Sequence, residues 1–150
     1  GRHSGHIALT AGLACGAEII LLPEKNLTME EVCQRLQQSY QRGKLFSIVM
    51  VAEGVGTGFS IATQIAERTQ FKPHVTVLGY IQRGGNPTAR DIITASRMGA
   101  LAVDSIMENQ VDRLGATHSG QFRTIPLDMV HQYKHAVDME LFELANILAI

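Results

Sequence analysis

Short apolar runs, separated by stretches with helical spacing, constrain the fold of this chain more than any other feature of its sequence. The runs cover residues 19–22, 46–52 and 74–78, and Pro23 stops the first of them. Continuous apolar runs of this length are typical of strands that are buried on both faces of a parallel sheet. The alternation of strand and helix patterns therefore predicts an α/β fold with a doubly wound, mostly parallel sheet.

Helical patterns fill the intervals between these runs. Thr28 begins a capping box at the start of one predicted helix, and Gly43 marks its end. Residues 111–125 predict a β-hairpin that turns at Ser119 and Gly120. The predicted helices cover residues 6–17, 28–43, 58–69, 88–107 and 138–150.

Length, charge and cysteine content limit the class of protein. The chain has 150 residues, enough for a domain with a substantial core, and a formal net charge of −1. The balanced charge gives no indication of a nucleic-acid partner or an anionic membrane surface, and no apolar run is long enough to span a bilayer. Cys15 and Cys33 fall in apolar helical patterns, so we expect buried free thiols in a cytoplasmic protein.

The first residues of the chain do not resemble a natural amino terminus. The sequence starts without Met, on a Gly1-Arg2 pair that is typical of the middle of a loop. We therefore expect this chain to be a truncated or processed segment of a longer protein.

The segment at residues 79–85 carries the strongest functional signal. It follows the third apolar run and combines several glycines with one cation, Arg83. Glycine lets the main chain approach a ligand closely, and a guanidinium group can bind a phosphate through two parallel hydrogen bonds. Most loop arginines are solvated charges, but the flanking glycines favour the interpretation of Arg83 as a phosphate ligand.

Other polar residues leave alternatives open. Glu53 follows the second predicted strand, where its carboxylate would accept hydrogen bonds from a sugar or only cap the strand end. The glycine-rich loop at residues 54–58 lacks the Gly-Lys-Ser/Thr ending of a nucleotide loop, which favours a simple βα connection. Arg42 and Lys44 flank Gly43, and a favourable interaction with the helix dipole is the better interpretation from sequence alone.

The histidines give only a weak indication of metal binding. His131 and His135 lie four residues apart on a predicted helical face, and His3 and His6 form a similarly close pair. A zinc site needs further ligands, and none has suitable spacing in the sequence. We therefore predict no metal site in this chain.

Several motifs occur in a fixed order along the chain, and together they resemble the second, C-terminal half of the bacterial 6-phosphofructokinases. The resemblance runs from residue 1 to about residue 107 and returns weakly at residues 141–144. The motifs are Gly1-Arg2-x-x-Gly5, Gly16-Ala17-Glu18, Glu53, Val77-Leu78-Gly79-x-Ile81-Gln82-Arg83-Gly84-Gly85-x-Pro87 and Ala95-Ser96-Arg97-Met98-Gly99.

This resemblance implies an enzyme of glycolysis. The family transfers the γ-phosphoryl group of ATP, with Mg²⁺, to the 1-hydroxyl of fructose 6-phosphate. Arg2 would stabilise charge on the transferring phosphoryl group. Phosphoryl transfer depends mainly on positioning and electrostatics. The substrate-binding positions would be Glu53, His74, Tyr80 and Arg83.

The resemblance also implies regulation and assembly. Members of the family are homotetramers in which a nucleoside diphosphate or phosphoenolpyruvate binds at an allosteric site between subunits. The matching effector-binding positions would be Gly16, Glu18, Arg42 and Lys44.

Four positions depart from the family pattern. His74 replaces an arginine that a neighbouring subunit usually supplies to the sugar phosphate, and Tyr80 replaces a histidine. Leu45 replaces a lysine of the effector site, and Ile92 replaces an arginine that follows Asp91. The contacts to substrate and effector would therefore differ in part from those of the family.

The segments of the family that bind ATP and Mg²⁺ and that supply the aspartate base are absent from this sequence. We therefore expect a Rossmann-like, three-layer fold that is incomplete at its N-terminal side, and a chain that is inactive alone. The alternatives are a non-catalytic fragment that binds sugar phosphate or effector, a fragment kept for subunit association, and a pyrophosphate-dependent enzyme.

The predicted organisation has three parts. Residues 1–81 would form a substrate and effector domain. Residues 82–132 would form a helix and a hairpin that pack on the missing nucleotide-binding domain. Residues 133–150 would form a C-terminal helix that returns to the first domain.

Overall fold

A computed structural model describes residues 3–130 and 136–149 of the chain, which divides into two compact units. The first unit comprises Gly1–Leu78 and Ala136–Ile150, and the second comprises Gly79–His135. The predicted boundaries, after residues 81 and 132, lie close to these divisions. The packing of the second unit on a nucleotide-binding domain stays a prediction.

Helices occur at every place where the sequence predicts them. In chain order the elements are α1 (His6–Ala14), β1 (Ile19–Leu21), α2 (Met29–Gln41), β2 (Val49–Val51), α3 (Gly58–Arg68), a 3₁₀ helix (Gly79–Gln82), α4 (Ala89–Met107), β3 (Arg113–His118), β4 (Gln121–Pro126), α5 (Leu127–Val130) and α6 (Met139–Leu148).

Capping boxes fix the starts of α2 and α4. The Thr28 hydroxyl accepts a hydrogen bond from the Glu31 amide at 3.2 Å, and the Glu31 carboxylate accepts one from the Thr28 amide at 2.7 Å. Thr88 and Asp91 repeat the arrangement in α4. The hydrogen bonds from the threonines hold the pKa of both carboxyls below its ordinary value, since they favour the charged form.

The helix α1 is shorter than the sequence predicts, because a glycine turn ends it. Gly16 has a φ of +68° and donates a hydrogen bond to the Leu13 carbonyl, while the Ala17 amide donates to the Gly12 carbonyl. This is the Schellman pattern, which needs a left-handed residue at the glycine position. Cys15 therefore lies at the exposed end of the helix, so the prediction that it is buried is wrong, whereas Cys33 is buried.

The first unit has three layers. The strands β1 and β2 pair in parallel, with Ile19 opposite Val49 and Leu21 opposite Val51. One face of the sheet packs in a core with α1 and α6, and the other packs in a core with α2 and α3. Successive β1 side chains alternate between the two cores, which is why all of its residues are buried. The predicted doubly wound α/β architecture is confirmed in this unit.

The third predicted strand does not form. Residues 71–78 are irregular, and Val77 is 64% exposed. The sequence has strand-forming residues there, but a strand also needs a hydrogen-bonded neighbour, and β2 pairs only with β1 among the described residues. For the same reason β2 is half-buried, whereas the sequence predicts a buried strand.

The second unit contains the 3₁₀ helix, the helix α4, the predicted hairpin and the short α5. The strands β3 and β4 pair in antiparallel fashion and pack on α4. Ser119 and Gly120 have φ values of +49° and +76°, the two left-handed residues that a tight hairpin turn needs. Much of the apolar surface of α4 is exposed, at Ile92, Ile93, Val103, Ile106 and Met107.

Candidate functional site

The carboxyl ends of β1 and β2 form one edge of the sheet in the first unit, here called the carboxyl edge. The two strands end in register, since the Ala52 amide donates a hydrogen bond to the Leu21 carbonyl at 3.0 Å. A turn with Glu24 follows β1, and a turn with Glu53 follows β2. Ligands of doubly wound α/β sheets bind at this kind of edge.

The start of α1 is attached to the carboxyl edge through Glu24. Both carboxylate oxygens of Glu24 accept hydrogen bonds from the Gly5 amide, at 3.0 and 3.1 Å. Gly5 is the N-cap residue of α1, and its carbonyl accepts the Leu9 amide at 2.8 Å. No pattern in the sequence singles out Glu24, whose partner lies 19 residues away. Arg2, the predicted catalytic residue, lies outside the described residues.

Glu53 and His74 also belong to the first unit. Both are exposed, Glu53 in the turn after β2 and His74 in the irregular segment that replaces the third strand. An exposed carboxylate at a strand end can accept hydrogen bonds from sugar hydroxyls. Their predicted roles in substrate binding stay predictions.

Tyr80 and Arg83 lie in the second unit, in and after the 3₁₀ helix. The Arg83 guanidinium lies 5.5 Å from the centre of the Tyr80 ring, within the range of a cation–π contact. The backbone is left-handed at Gly79, Gly84 and Gly85, with φ values of +52°, +74° and +99°. This loop conformation requires glycine. It leaves Arg83 exposed, with its side chain beside the ring that replaces the family's histidine.

At the opposite edge of the same sheet, here called the amino edge, Glu18 joins the starts of both strands. Its amide donates a hydrogen bond to the Ile48 carbonyl at 3.1 Å, and its carboxylate accepts one from the Ile48 amide at 2.5 Å. The ammonium group of Lys44 lies 3.4 Å from the other carboxylate oxygen. The Glu18 side chain is only 9% exposed. Lys44 is therefore the partner of a largely buried carboxylate.

A glycine turn at the end of α2 brings the cations to this edge. Gly43 has a φ of +90°, its amide donates to the Tyr40 carbonyl, and the Lys44 amide donates to the Ser39 carbonyl. The chain thus reverses after α2 by the Schellman pattern. Lys44 faces Glu18 and also lies 3.4 Å from the Ala149 carbonyl at the end of α6. The sequence alone favours an interaction of Lys44 with the helix dipole. The structure adds specific contacts to Glu18 and to the Ala149 carbonyl.

A cavity of about 170 Å³ adjoins this cluster. Arg42 lines it, and its guanidinium lies 3.5 Å from the Ser39 hydroxyl. Arg35 lines it too and donates a hydrogen bond to the Asn146 side chain at 2.9 Å. Sequence reasoning missed Arg35 and Asn146, because 111 residues separate them and no local pattern marks the pair. The lining residues are Glu18, Arg35, Gln38, Ser39, Arg42, Asn146 and Ala149.

Three of the four predicted effector residues, Glu18, Arg42 and Lys44, therefore meet at the amino edge. Gly16 does not line the cavity. Its left-handed backbone turns the chain from α1 towards Glu18, which is a sufficient structural reason for glycine at this position. The predicted effector roles of all four residues stay predictions.

A larger cavity of about 570 Å³ lies between the carboxyl ends of α2 and α3. No pattern in the sequence predicts this cavity. The Tyr40 ring, one of its walls, packs edge-to-face on Phe71 at 5.7 Å. The lining residues are Gln37, Tyr40, Gln41, Glu67, Arg68, Thr69 and Gln70.

Residues 3–130 and 136–149 contain no group of His, Cys, Asp and Glu side chains that could hold a metal ion. His131 and His135 lie outside these ranges. None of the helices in the described part of the chain is long and apolar enough to cross a lipid bilayer.

The fold places this chain among the doubly wound α/β proteins, and comparison with known proteins defines the family. The phosphofructokinase family profile matches residues 1–106. The chain belongs to the phosphofructokinase family.

Curated relatives match the chain along its whole length. It is 45% identical over 150 residues to the ATP-dependent 6-phosphofructokinase of Brevibacillus brevis and 43% identical to that of Bacillus subtilis. In both cases the match covers 47% of the relative, so the chain spans about half the length of the curated relatives it matches. The prediction that it corresponds to the second half of these proteins rests on the order of its motifs alone.

A solved structure supports the fold. The pyrophosphate-dependent phosphofructokinase from Marinobacter aquaeolei aligns with a TM-score of 0.77 and covers 93% of this chain and 40% of its own. The two sequences are 24% identical, so this likeness bears on the fold alone.

Proposed function

We propose that this chain is part of an ATP-dependent 6-phosphofructokinase, which transfers the γ-phosphoryl group of ATP to the 1-hydroxyl of fructose 6-phosphate in cytoplasmic glycolysis. The observation that carries this proposal is the 45% identity over the whole chain to an enzyme of that name. ATP rather than pyrophosphate is proposed as the donor, because the relatives at 43–45% identity are named ATP-dependent enzymes.

The proposed work of this chain is to bind and orient the sugar phosphate and to stabilise the transferring group. Arg83 binds the 6-phosphate, and the exposed Glu53 carboxylate accepts hydrogen bonds from sugar hydroxyls. His74 and Tyr80 are further proposed substrate-binding residues. Arg2 stabilises the charge that develops on the phosphoryl oxygens, the main protein contribution in reactions of this kind.

ATP and Mg²⁺ are proposed to bind mainly to residues outside the described part of the chain. Among residues 3–130 and 136–149, no three or more His, Cys, Asp or Glu side chains form a group that could hold a metal ion. When bound, the metal supplies charge neutralisation for the phosphates of the nucleotide.

The amino edge is the proposed effector site. Arg35 and Arg42 line one cavity, and Lys44 contacts Glu18 in its wall; such a cluster of cations suits a nucleoside diphosphate or phosphoenolpyruvate. In the proposed homotetramer a neighbouring subunit completes this site. An anionic effector would compete with Glu18 for Lys44, whose present contact is long for an ion pair at 3.4 Å.

A coupled assay on the longer protein tests the proposed function. We expect formation of fructose 1,6-bisphosphate from fructose 6-phosphate and ATP with Mg²⁺, and none with pyrophosphate as donor. The 150-residue chain alone is the matched control. We expect it to be inactive, since it spans about half the length of the relatives it matches and loss of general-base positioning alone costs about 10²–10⁴-fold.

The same assay separates the alternatives. Turnover with pyrophosphate and not with ATP would indicate the pyrophosphate-dependent enzyme. A longer protein that binds fructose 6-phosphate or effector without turnover would indicate a non-catalytic binding or association role.

A further inference from the structure

We propose that the cavity at the amino edge holds a single phosphate group between Arg35 and Arg42, and that Asn146 holds Arg35 there without cancelling its charge. This inference rests on the proposed function, because it assigns a place to one phosphate of the proposed effector. A phosphate group is the chemistry that nucleoside diphosphates and phosphoenolpyruvate share.

The first step of the argument is the arrangement of side chains on α2. Arg35, Ser39 and Arg42 follow one another at intervals of four and three residues, which places them on the same face of the helix. All three line the cavity. Ser39 is buried, at 4% exposed, and its short side chain lies between the two arginines along this face. The helix thus presents two guanidinium groups to one small space.

The second step is the size of that space. The cavity has a volume of about 170 Å³. Pockets that enclose a whole drug-sized ligand have volumes of roughly 300–1,000 Å³. A complete nucleotide is therefore too large for the cavity, whereas one phosphate group fits, with the rest of the effector outside.

The third step is the charge around the cavity. Within residues 3–130 and 136–149, no carboxylate forms an ion pair with either guanidinium group. The Arg42 guanidinium lies 3.5 Å from the neutral Ser39 hydroxyl. The one carboxylate among the lining residues, that of Glu18, has Lys44 beside it at 3.4 Å. The charges of the two arginines are thus left for an anionic ligand.

The fourth step is the way in which Asn146 holds Arg35. The Asn146 side-chain oxygen accepts a hydrogen bond from Arg35 at 2.9 Å, and its amide nitrogen donates one to the Phe142 carbonyl at 3.1 Å. Phe142 is 2% exposed and belongs to the core, so this turn of α6 is firmly anchored. A guanidinium group has five N–H donors, and a bond to one neutral acceptor leaves others for a bidentate contact with phosphate.

A simpler interpretation is that the Arg35–Asn146 bond only fastens α6 to α2. A cation near the C-terminal end of α6 also interacts favourably with the helix dipole. The two interpretations differ when position 146 carries a charge. A carboxylate there still bonds to Arg35 and fastens α6, but it also neutralises the arginine and repels a phosphate group.

The test is calorimetric titration of the longer protein with phosphoenolpyruvate and with the nucleoside diphosphate ADP. We expect Arg35→Met to raise the dissociation constant of the effector about 10-fold, because one charge-assisted contact is lost. Asn146→Asp should also raise it about 10-fold, while its Tm does not fall, since an ion pair replaces the hydrogen bond to Arg35. Arg68→Met, at an exposed position of α3, is the control and should change the dissociation constant less than about 2-fold.

Each outcome decides the proposal. An unchanged dissociation constant in Arg35→Met or in Asn146→Asp would overturn it, as would a wild-type protein that binds neither probe. Should Arg35→Met not fold, Arg35→Lys keeps the positive charge without the planar fork, and the affinity should still fall.

The titration does not depend on turnover, so its failure is distinct from failure of the proposed activity. A protein that forms fructose 1,6-bisphosphate but shows no change of affinity in these variants would overturn this inference alone. A protein without turnover whose affinity falls in both variants would retain the phosphate site, although the proposed activity would be wrong.

Discussion

The two edges of the β1–β2 sheet carry acidic side chains in different settings. At the amino edge, Glu18 is largely buried and bonded to the Ile48 amide and to Lys44, which also reaches the last helix. At the carboxyl edge, Glu53 lies exposed in the turn after its strand. The acidic side chain at the amino edge is thus held by distant parts of the chain, whereas Glu53 at the carboxyl edge is exposed.

This difference has consequences for the ligands proposed at each edge. An anion that binds Lys44 at the amino edge must displace the Glu18 carboxylate from their ion pair. The largely buried carboxylate then has no cation beside it, which costs free energy. A sugar at the carboxyl edge meets an exposed carboxylate, that of Glu53. Residues of the amino edge should therefore control effector response together with stability, and residues of the carboxyl edge should control substrate binding and rate.

The largest expected effect comes from Arg2. In the full-length enzyme we expect Arg2→Ala to lower kcat by about 10³-fold, the lower end of the range for an arginine that stabilises a transferring phosphoryl group. The effector concentration for half-maximal response should not change. Steady-state kinetics would measure both, with Arg68→Ala on the exposed surface of α3 as control. A change in effector response without a loss of kcat would contradict the proposed separation.

A smaller effect is expected from Arg83. Arg83→Ala should weaken the apparent affinity for fructose 6-phosphate by about 1.5–3 kcal/mol, the range for a hydrogen bond to a charged group. The loss should appear mainly in KM, since the 6-phosphate is remote from the reacting hydroxyl. Lysine should rescue little because it lacks the planar fork.

The control for Arg83 is Tyr80→Phe, which keeps the ring next to the guanidinium. Its KM should stay within about 2-fold of the wild type, since the ring face supplies the cation–π attraction. If KM is insensitive to Arg83→Ala, then Arg83 is not the phosphate ligand.

A third prediction concerns the amino edge. Lys44→Met should weaken binding of a nucleoside diphosphate effector about 10-fold, because one charge-assisted contact is lost. It should also lower the thermal stability, since Glu18 loses its ion-pair partner. Calorimetry of effector binding and of unfolding would measure the two effects. Lys72→Met, at an exposed position, should change neither.

Whether a contact is local or joins distant residues decides whether the sequence predicts it. The starts of α2 and α4 were predictable because Thr28 and Thr88 bond to residues three positions ahead. The hairpin was predictable because Ser119 and Gly120 mark its turn. The failure at residues 74–78 arose because a strand also requires a partner, which local propensity does not specify.

The candidate site divides in the same way. The sequence predicts the glycine turn at Gly43 and the two cations that flank it, Arg42 and Lys44. The sequence does not predict the Arg35–Asn146 and Glu24–Gly5 contacts, since each joins residues from different elements. Periodicity places a residue on a face of an element but does not specify which distant backbone group it meets.

The smallest expected effect tests a purely local contact, the capping box of α2. Hydrogen bonds from the Thr28 amide and hydroxyl lower the pKa of Glu31 below its ordinary value of 4.5. A carboxyl with a lower pKa in the folded state stabilises the fold above its unfolded-state pKa, and this stabilisation is lost as the pH falls through the folded-state pKa.

Wild-type protein should therefore have a slightly higher Tm than Glu31→Gln at pH 7, and the difference should shrink towards zero as the pH is lowered from about 5 to below the folded-state pKa. Thermal unfolding of both proteins at a series of pH values would measure this. Glu30→Gln removes a negative charge from the same helical turn and should show a weaker dependence, because only the dipole interaction is lost. Equal pH dependence for the two variants would show that charge near the helix start, and not the capping bond, stabilises α2. The effect should stay confined to stability, since the hydrogen bonds of the Glu31 side chain go to Thr28 at the start of its own helix.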